Sequence, residues 1–176
     1  VKPRWHIAFS NMTYTEYAGV SYRDYYRSPA IMLEAQLTAK DFAERRFGAG
    51  RFISPSVDSP PCLLASFLGM PVIAPADADE LMYLDTSRPV LTHSTQVDAI
   101  HCGDPRRDGL MAARWEAWQY YRSRGYRVPF MADGGEPITL ACQISSGAAL
   151  LWCAQNPDGM KRILMKLVTV EKNLAA

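Results

Sequence analysis

The sequence predicts an α/β fold in which short strands each hand over to a covering helix. Two observations carry this expectation. The apolar runs Phe52-Ile53 and residues 127–132 each stop at a loop of turn-forming residues, and a proline then opens a helix. Stripes of apolar residues at helical spacing alternate with those runs, which is the order that builds a parallel sheet from βα units.

Taken in order, residues 1–27 are rich in aromatics (Tyr14, Tyr17, Tyr22, Tyr25, Tyr26) without a clean period. They are expected to form an irregular N-terminal arm, packed through rings whose hydroxyl tips stay wet. Residues 28–176 are expected to form the first βα units. Ser28 is a good N-cap, Pro29 suits the first helical position, and Met32, Leu33, Leu37 and Phe42 continue the stripe as far as Gly48 and Gly50. Phe52-Ile53 predicts the first strand, which Pro55 limits. CLLASFLGM predicts a short buried helix ending at Gly69, and Pro71-Val72-Ile73-Ala74 a further strand. DADELM reads as a helical turn, and residues 86–100 as irregular chain. A helix is expected from Asp104-Pro105 to Gly125, with Leu110, Ala113, Ala117, Trp118 and Tyr121 on its apolar face. The second strand, residues 127–132, follows. One helix is expected from Pro137 through Cys153, and another from Asn156-Pro157, with Met160, Ile163, Leu164, Leu167 and Val168 at helical spacing.

Composition narrows the class. The chain has 176 residues, 48% of them hydrophobic, and a net charge of +1, so a single-domain core is affordable and a polyanion-binding surface is disfavoured. No apolar segment approaches the ~20 residues that span a bilayer, and VKPRWHIAFS lacks the apolar stretch of a secretory signal. Cys62, Cys102, Cys142 and Cys153 are scattered without a CxxC pair, as expected of reduced thiols in a cytoplasmic protein. With three histidines, a zinc site made from this chain alone is not expected, and His101-Cys102 reads as loop. Trp115 and Trp118 read as core or interface.

Several stretches together resemble the uroporphyrinogen decarboxylase superfamily. They are YRSPAIMLEAQLTAKDF, then Asp58 after the first strand, FLGMPV, DPRRDGLMAARWEAWQYYRSRGYRVPFMADGGEPITLA, and NPDGMKRILMKLV. Their order and spacing agree with the family from about Tyr17 onward. The resemblance implies the N-terminal part of a (β/α)8 TIM-type barrel with the active site at its C-terminal mouth. Two strands cannot close a barrel, so an incomplete barrel is expected, to be completed by a complementary C-terminal half or by a homo-oligomer. The family's decarboxylases carry paired arginines in a motif like RQAGRY, which grip a polyacid substrate. The matching stretch here is Glu16-Tyr17-Ala18-Gly19-Val20-Ser21, with Glu16 and Val20 at the arginine positions and Arg23 only nearby. The resemblance is therefore nearer the corrinoid-dependent methyltransferases. It implies a methyl group moved between a small substrate and a corrinoid protein or thiol, zinc held by ligands outside this segment, and a cobalamin carried by a partner protein. A decarboxylase-like lyase with altered substrate contacts, or a non-catalytic half-barrel partner subunit, are the alternatives.

The candidate site residues sit on the two loops that follow the expected strands, 54–60 and 133–136, where α/β folds gather their chemistry. By resemblance Asp58 is the catalytic carboxylate; read locally, it caps the next helix. Asp133 is a second substrate contact or a turn residue, and Gly134 and Gly135 permit that turn or admit a ligand near the backbone. Tyr17 completes the expected substrate-binding set.

Overall fold

The computed structural model describes residues 11–48, 54–131 and 136–175. They form eight helices and one two-stranded antiparallel sheet, so the described chain is mostly helical and no (β/α)8 pattern is visible among the described residues. The expected barrel is thereby corrected. Phe52-Ile53 lies outside the described residues, but residues 127–131 are not a strand. The reason lies in the hydrogen-bond partners. The carbonyls a neighbouring strand would need accept from side chains: Val128 from the Trp118 indole at 3.1 Å, and Phe130 from the Arg114 guanidinium at 2.6 Å. Pro129 removes a further donor.

The described chain forms two compact units. Of the described residues, the first comprises 11–48, 54–59, 76–81 and 116–129. Residues 11–27, expected to be irregular, hold α1 (Asn11–Ala18) and α2 (Tyr22–Arg27), both packed on α3 (Pro29–Phe47). Ser21 caps α2 by accepting from the Asp24 amide. Ser28 caps α3 through the Ile31 amide, and Gly48, in the left-handed region at φ 63°, ends it, as the sequence predicts. The buried stripe of α3 runs Met32, Gln36, Ala39 and Ala43, with Tyr25 and Tyr26 of α2 also buried.

Of the described residues, the second unit comprises 60–75, 82–115, 130–131 and 136–175. Its core gathers Leu63, Phe67, Leu91, Ile100, Met111, Leu140, Ile144, Trp152, Ile163 and Leu167. The expected buried helix is α4 (Leu63–Phe67). Of the stretch Pro71 to Ala74, β1 (Val72–Ile73) is a strand, paired antiparallel with β2 (Tyr83–Leu84) in the register Val72 to Leu84 and Ile73 to Tyr83. DADELM forms turns, and residues 86–100 are irregular apart from a 3-10 turn, Val97–Ala99.

Helix α5 (Met111–Ser123) starts six residues later than its sequence signals suggest. Asp104 caps a closed turn instead, accepting from the Arg106 amide while its own amide donates to Asp108. Gly109, at φ 56°, then redirects the chain. Arg114, rather than Ala113, lies on the buried face. The single helix expected from Pro137 to Cys153 is two, α6 (Pro137–Ile144) and α7 (Ala149–Gln155), bent by 107°. Ser146 (φ 51°) and Gly147 (φ 90°) make the corner, and the Ser146 hydroxyl donates to the Thr86 carbonyl at 2.7 Å. α8 (Pro157–Ala175) opens where expected, with the Asn156 side chain accepting from the Gly159 amide. No single helix among the described residues is long and apolar enough to cross a membrane, although α6 and α7 together pass by length and composition.

One carboxylate in α8 is poorly placed. Glu171 is half-buried, its Oε1 has no hydrogen-bond partner among the described residues, and burial pushes its pKa above the usual value. A raised folded-state pKa stabilises the fold below the unfolded pKa, and that contribution is lost as pH rises through the folded pKa. Glu171→Gln should therefore raise Tm at pH 7 and lose that advantage near pH 4, as thermal denaturation followed by circular dichroism will show.

Candidate active site

The first unit holds a chain of polar side chains that ends on Asp58. The carboxylate is half-buried. Its Oδ1 accepts from the Ser59 amide at 2.7 Å and its Oδ2 from the Tyr25 hydroxyl at 3.2 Å. Behind Tyr25 stands Gln36, only 1% exposed, whose Nε2 donates to the tyrosine oxygen at 3.0 Å. The Gln36 amide is clamped by the backbone of Ser56: Nε2 donates to its carbonyl at 2.9 Å and Oε1 accepts from its N–H at 3.0 Å. The hydroxyl of Tyr121, on the C-terminal half of α5, donates to the same Oε1 at 3.2 Å.

Each member is positioned by its own element. The Ser21 cap sets α2 so that Tyr25 faces inward, and Ser28 starts α3 so that Gln36 falls on the buried stripe. Tyr25 and Tyr121 are fully buried, so their hydroxyls need partners, and the network supplies them. Burial, and then the Asp58 charge, pushes the pKa values of Tyr14, Tyr25 and Tyr121 above the ordinary phenol value. Three tyrosines on α1, α2 and α5 thus sense one carboxylate. An anion held this way can accept a hydrogen bond, take a proton or anchor a cation.

Of the expected site residues, the structure supports a networked position for Asp58. It is not a helix cap: Ser59 is its neighbour and α4 begins only at Leu63. Tyr17 is exposed and stacks on Phe42 with ring centroids 4.1 Å apart. Its neighbour one turn back, Tyr14, is the α1 tyrosine that senses Asp58. Asp133, Gly134 and Gly135 lie outside the described residues. Sequence reasoning missed Tyr25, Gln36 and Tyr121. One signal was available: Gln36 shares an otherwise apolar stripe with Met32, Ala39 and Ala43, and a polar residue in such a stripe must find partners inside.

No other part of the described chain offers an equally connected set. His101 and Cys102 are exposed, all four cysteines are free thiols, and burial pushes the Cys62 thiol up. No group of three His, Cys, Asp or Glu residues among the described residues is arranged to hold a metal; the resemblance places the zinc ligands outside this segment. In the second unit, Cys62, Ile73, Met82, Tyr83, Asp85 and Gln143 line an open groove of about 590 Å³. Asp85 there is held below the usual carboxylate range by the Ser87 hydroxyl and then by Arg88.

Fold and site together define a mostly helical protein with a carboxylate–tyrosine network buried in one of its units. Comparison with protein-family models, curated proteins and solved structures finds no match.

Proposed function

We propose that the chain is a methyltransferase, or a subunit or fragment of one, related to the corrinoid-dependent side of the uroporphyrinogen decarboxylase superfamily. It moves a methyl group between a small substrate and a corrinoid protein or thiol, in the cytoplasm. The observation that carries this proposal is Asp58: the position marked by the resemblance bears a carboxylate wired to three buried side chains. The ordered family-like stretches support it, and the barrel is no part of it. Asp58 meets the donor or acceptor and, for a thiol acceptor, takes the S–H proton. The sulfur then bonds the methyl carbon while the leaving group departs with the bonding pair. Zinc belongs to the proposal with ligands other than the described residues, and cobalamin with a partner protein.

Porphyrinogen decarboxylation is the weaker reading. Glu16 and Val20 stand where a polyacid substrate would need arginines, and the Arg23 guanidinium donates to the Ala76 carbonyl at 2.7 Å.

The test is methyl transfer by the full chain supplied with zinc, methylcobalamin and a thiol, and separately with methanol, methylamine or an aryl methyl ether and reduced cobalamin. Loss or gain of the methylcobalamin spectrum is the readout. Turnover is expected, and Asp58→Asn should slow it about 100-fold or more. Absence of transfer in every combination sinks the proposal. A co-purifying partner protein would then point to the non-catalytic role.

A further inference from the structure

We propose that the outward faces of α7 and α8 form a docking surface for an anionic lipid membrane. Both helices belong to the second unit, so the surface stands apart from Asp58 and from the methyl-transfer reading.

Helix α8 is amphipathic, with a basic outer face. Met160, Ile163, Leu167, Val170 and Leu174 are buried in the core. On the opposite side, at about 100° per residue, Lys161, Lys172, Met165, Arg162 and Lys166 follow one another in that order over an arc of about 140°. All five are exposed, and no ion pair among the described residues engages any of these cations. A solvated helix face is ordinarily steadied by opposite charges four residues apart. Here Arg162 and Lys166 form such a pair with like charge, and Lys161 has Met165 in the partner position. Asp158 sits in the first turn, where a carboxylate suits the helix dipole. Glu171 is half-buried, on the side of the core stripe. The 3-10 turn packed against α8 carries one more exposed carboxylate, Asp98. The outer stripe of α8 itself thus holds four cations and one carboxylate, a local excess that the chain's net charge of +1 averages away.

The apolar side chains select the partner. Leu151 (64%), Leu150 (63%) and Met165 (62%) are the three most exposed large hydrophobic residues of the described chain. Met165 lies within the basic stripe. The leucines lie on α7, which packs against α8 and is joined to it through Asn156 alone. An anionic bilayer accommodates both kinds of group: lipid phosphates and carboxylates meet the cations, and acyl chains cover the leucines and the methionine. A nucleic-acid backbone would use the cations and leave the leucines in water. The contact is peripheral, because Leu140, Ile144, Ala149 and Trp152 of α6 and α7 are committed to the core.

The test is pelleting of the full chain with phosphatidylcholine vesicles, with and without phosphatidylserine. Binding is expected only with phosphatidylserine, and should weaken as salt rises. Each cation near such a surface contributes roughly fivefold, so Lys161→Gln/Lys166→Gln should weaken binding about 25-fold. Leu150→Ser/Leu151→Ser should weaken it about 10-fold or more and leave the salt dependence unchanged. Met165→Ser is the second apolar probe and should weaken it as well. All five positions are exposed, so the circular dichroism of the variants should match the parent. Failure to pellet with phosphatidylserine, equal pelleting with both vesicles, or undiminished binding by the lysine or the leucine variant overturns the proposal. Tighter binding of a single-stranded RNA than of the vesicles, undiminished in the leucine variant, would make the stripe a nucleic-acid surface and overturn it too.

Discussion

Gly109→Ala should destabilise the second unit by about 3–5 kcal/mol, the largest effect expected of any single methyl added to this chain. A Cβ at this position would lie 2.6 Å from the carbonyl carbon and oxygen of Ser66 and 2.8 Å from the Phe67 nitrogen. Those are backbone atoms of α4, so no side-chain rotation relieves the overlap. The residue also sits at φ 56°, where an L side chain adds on the order of 1 kcal/mol or more of strain. The approach is closed by hydrogen bonds. The Leu110 amide donates to the Ser66 hydroxyl at 3.0 Å, and that hydroxyl donates to the Leu63 carbonyl at 2.7 Å. Loosening the contact therefore also leaves buried Ser66 poorly satisfied. Urea denaturation of Gly109→Ala beside Gly125→Ala makes the check. Gly125 has φ 87° but open space around its missing Cβ, so the difference between the two isolates the overlap from the strain.

Gln36→Leu should cost the first unit about 2–3 kcal/mol even though the new side chain is apolar and of similar size. Leucine neither accepts from Tyr121 nor clamps Ser56, and the Tyr121 hydroxyl has no exposure to water. A buried donor left without a partner costs about 1–3 kcal/mol, more than most neutral hydrogen bonds contribute when made. The mechanism has its own signature. In the double variant Gln36→Leu/Tyr121→Phe the orphaned hydroxyl is gone, so the combined loss should be smaller than the sum of the two single losses. Strict additivity in chemical denaturation would mean that the two side chains do not share a hydrogen bond.

The helices with strong end signals were legible. α3 begins at Pro29 after its Ser28 cap and ends at Gly48, α4 ends before Gly69, and α8 opens at Pro157 after Asn156. Local chemistry decides such boundaries, and the chain shows it locally. The strand expected over residues 127–132 failed over its described part, residues 127–131, for a nonlocal reason. An apolar run becomes a strand only when another backbone offers partners, and here the partners are the indole of Trp118 and the guanidinium of Arg114. The break between α6 and α7 was legible in hindsight, since Ser145-Ser146-Gly147 interrupts the apolar run with residues suited to a left-handed turn. At the candidate site, resemblance pointed to Asp58 but not to what holds it. Gln36 and Tyr121 lie 85 positions apart in the chain, and no spacing rule links them.

The corner at Ser146-Gly147 has a consequence for biosynthesis. α6 and α7 have eight and seven residues, too few for either to persist alone in water. Both pack on α8, which follows them in the chain. At roughly 5–20 residues added per second, the 19 residues of α8 take about one to four seconds to be synthesised. For that interval the stretch PITLACQISSGAALLWC emerges sticky and unshielded, a natural grip for a ribosome-associated chaperone.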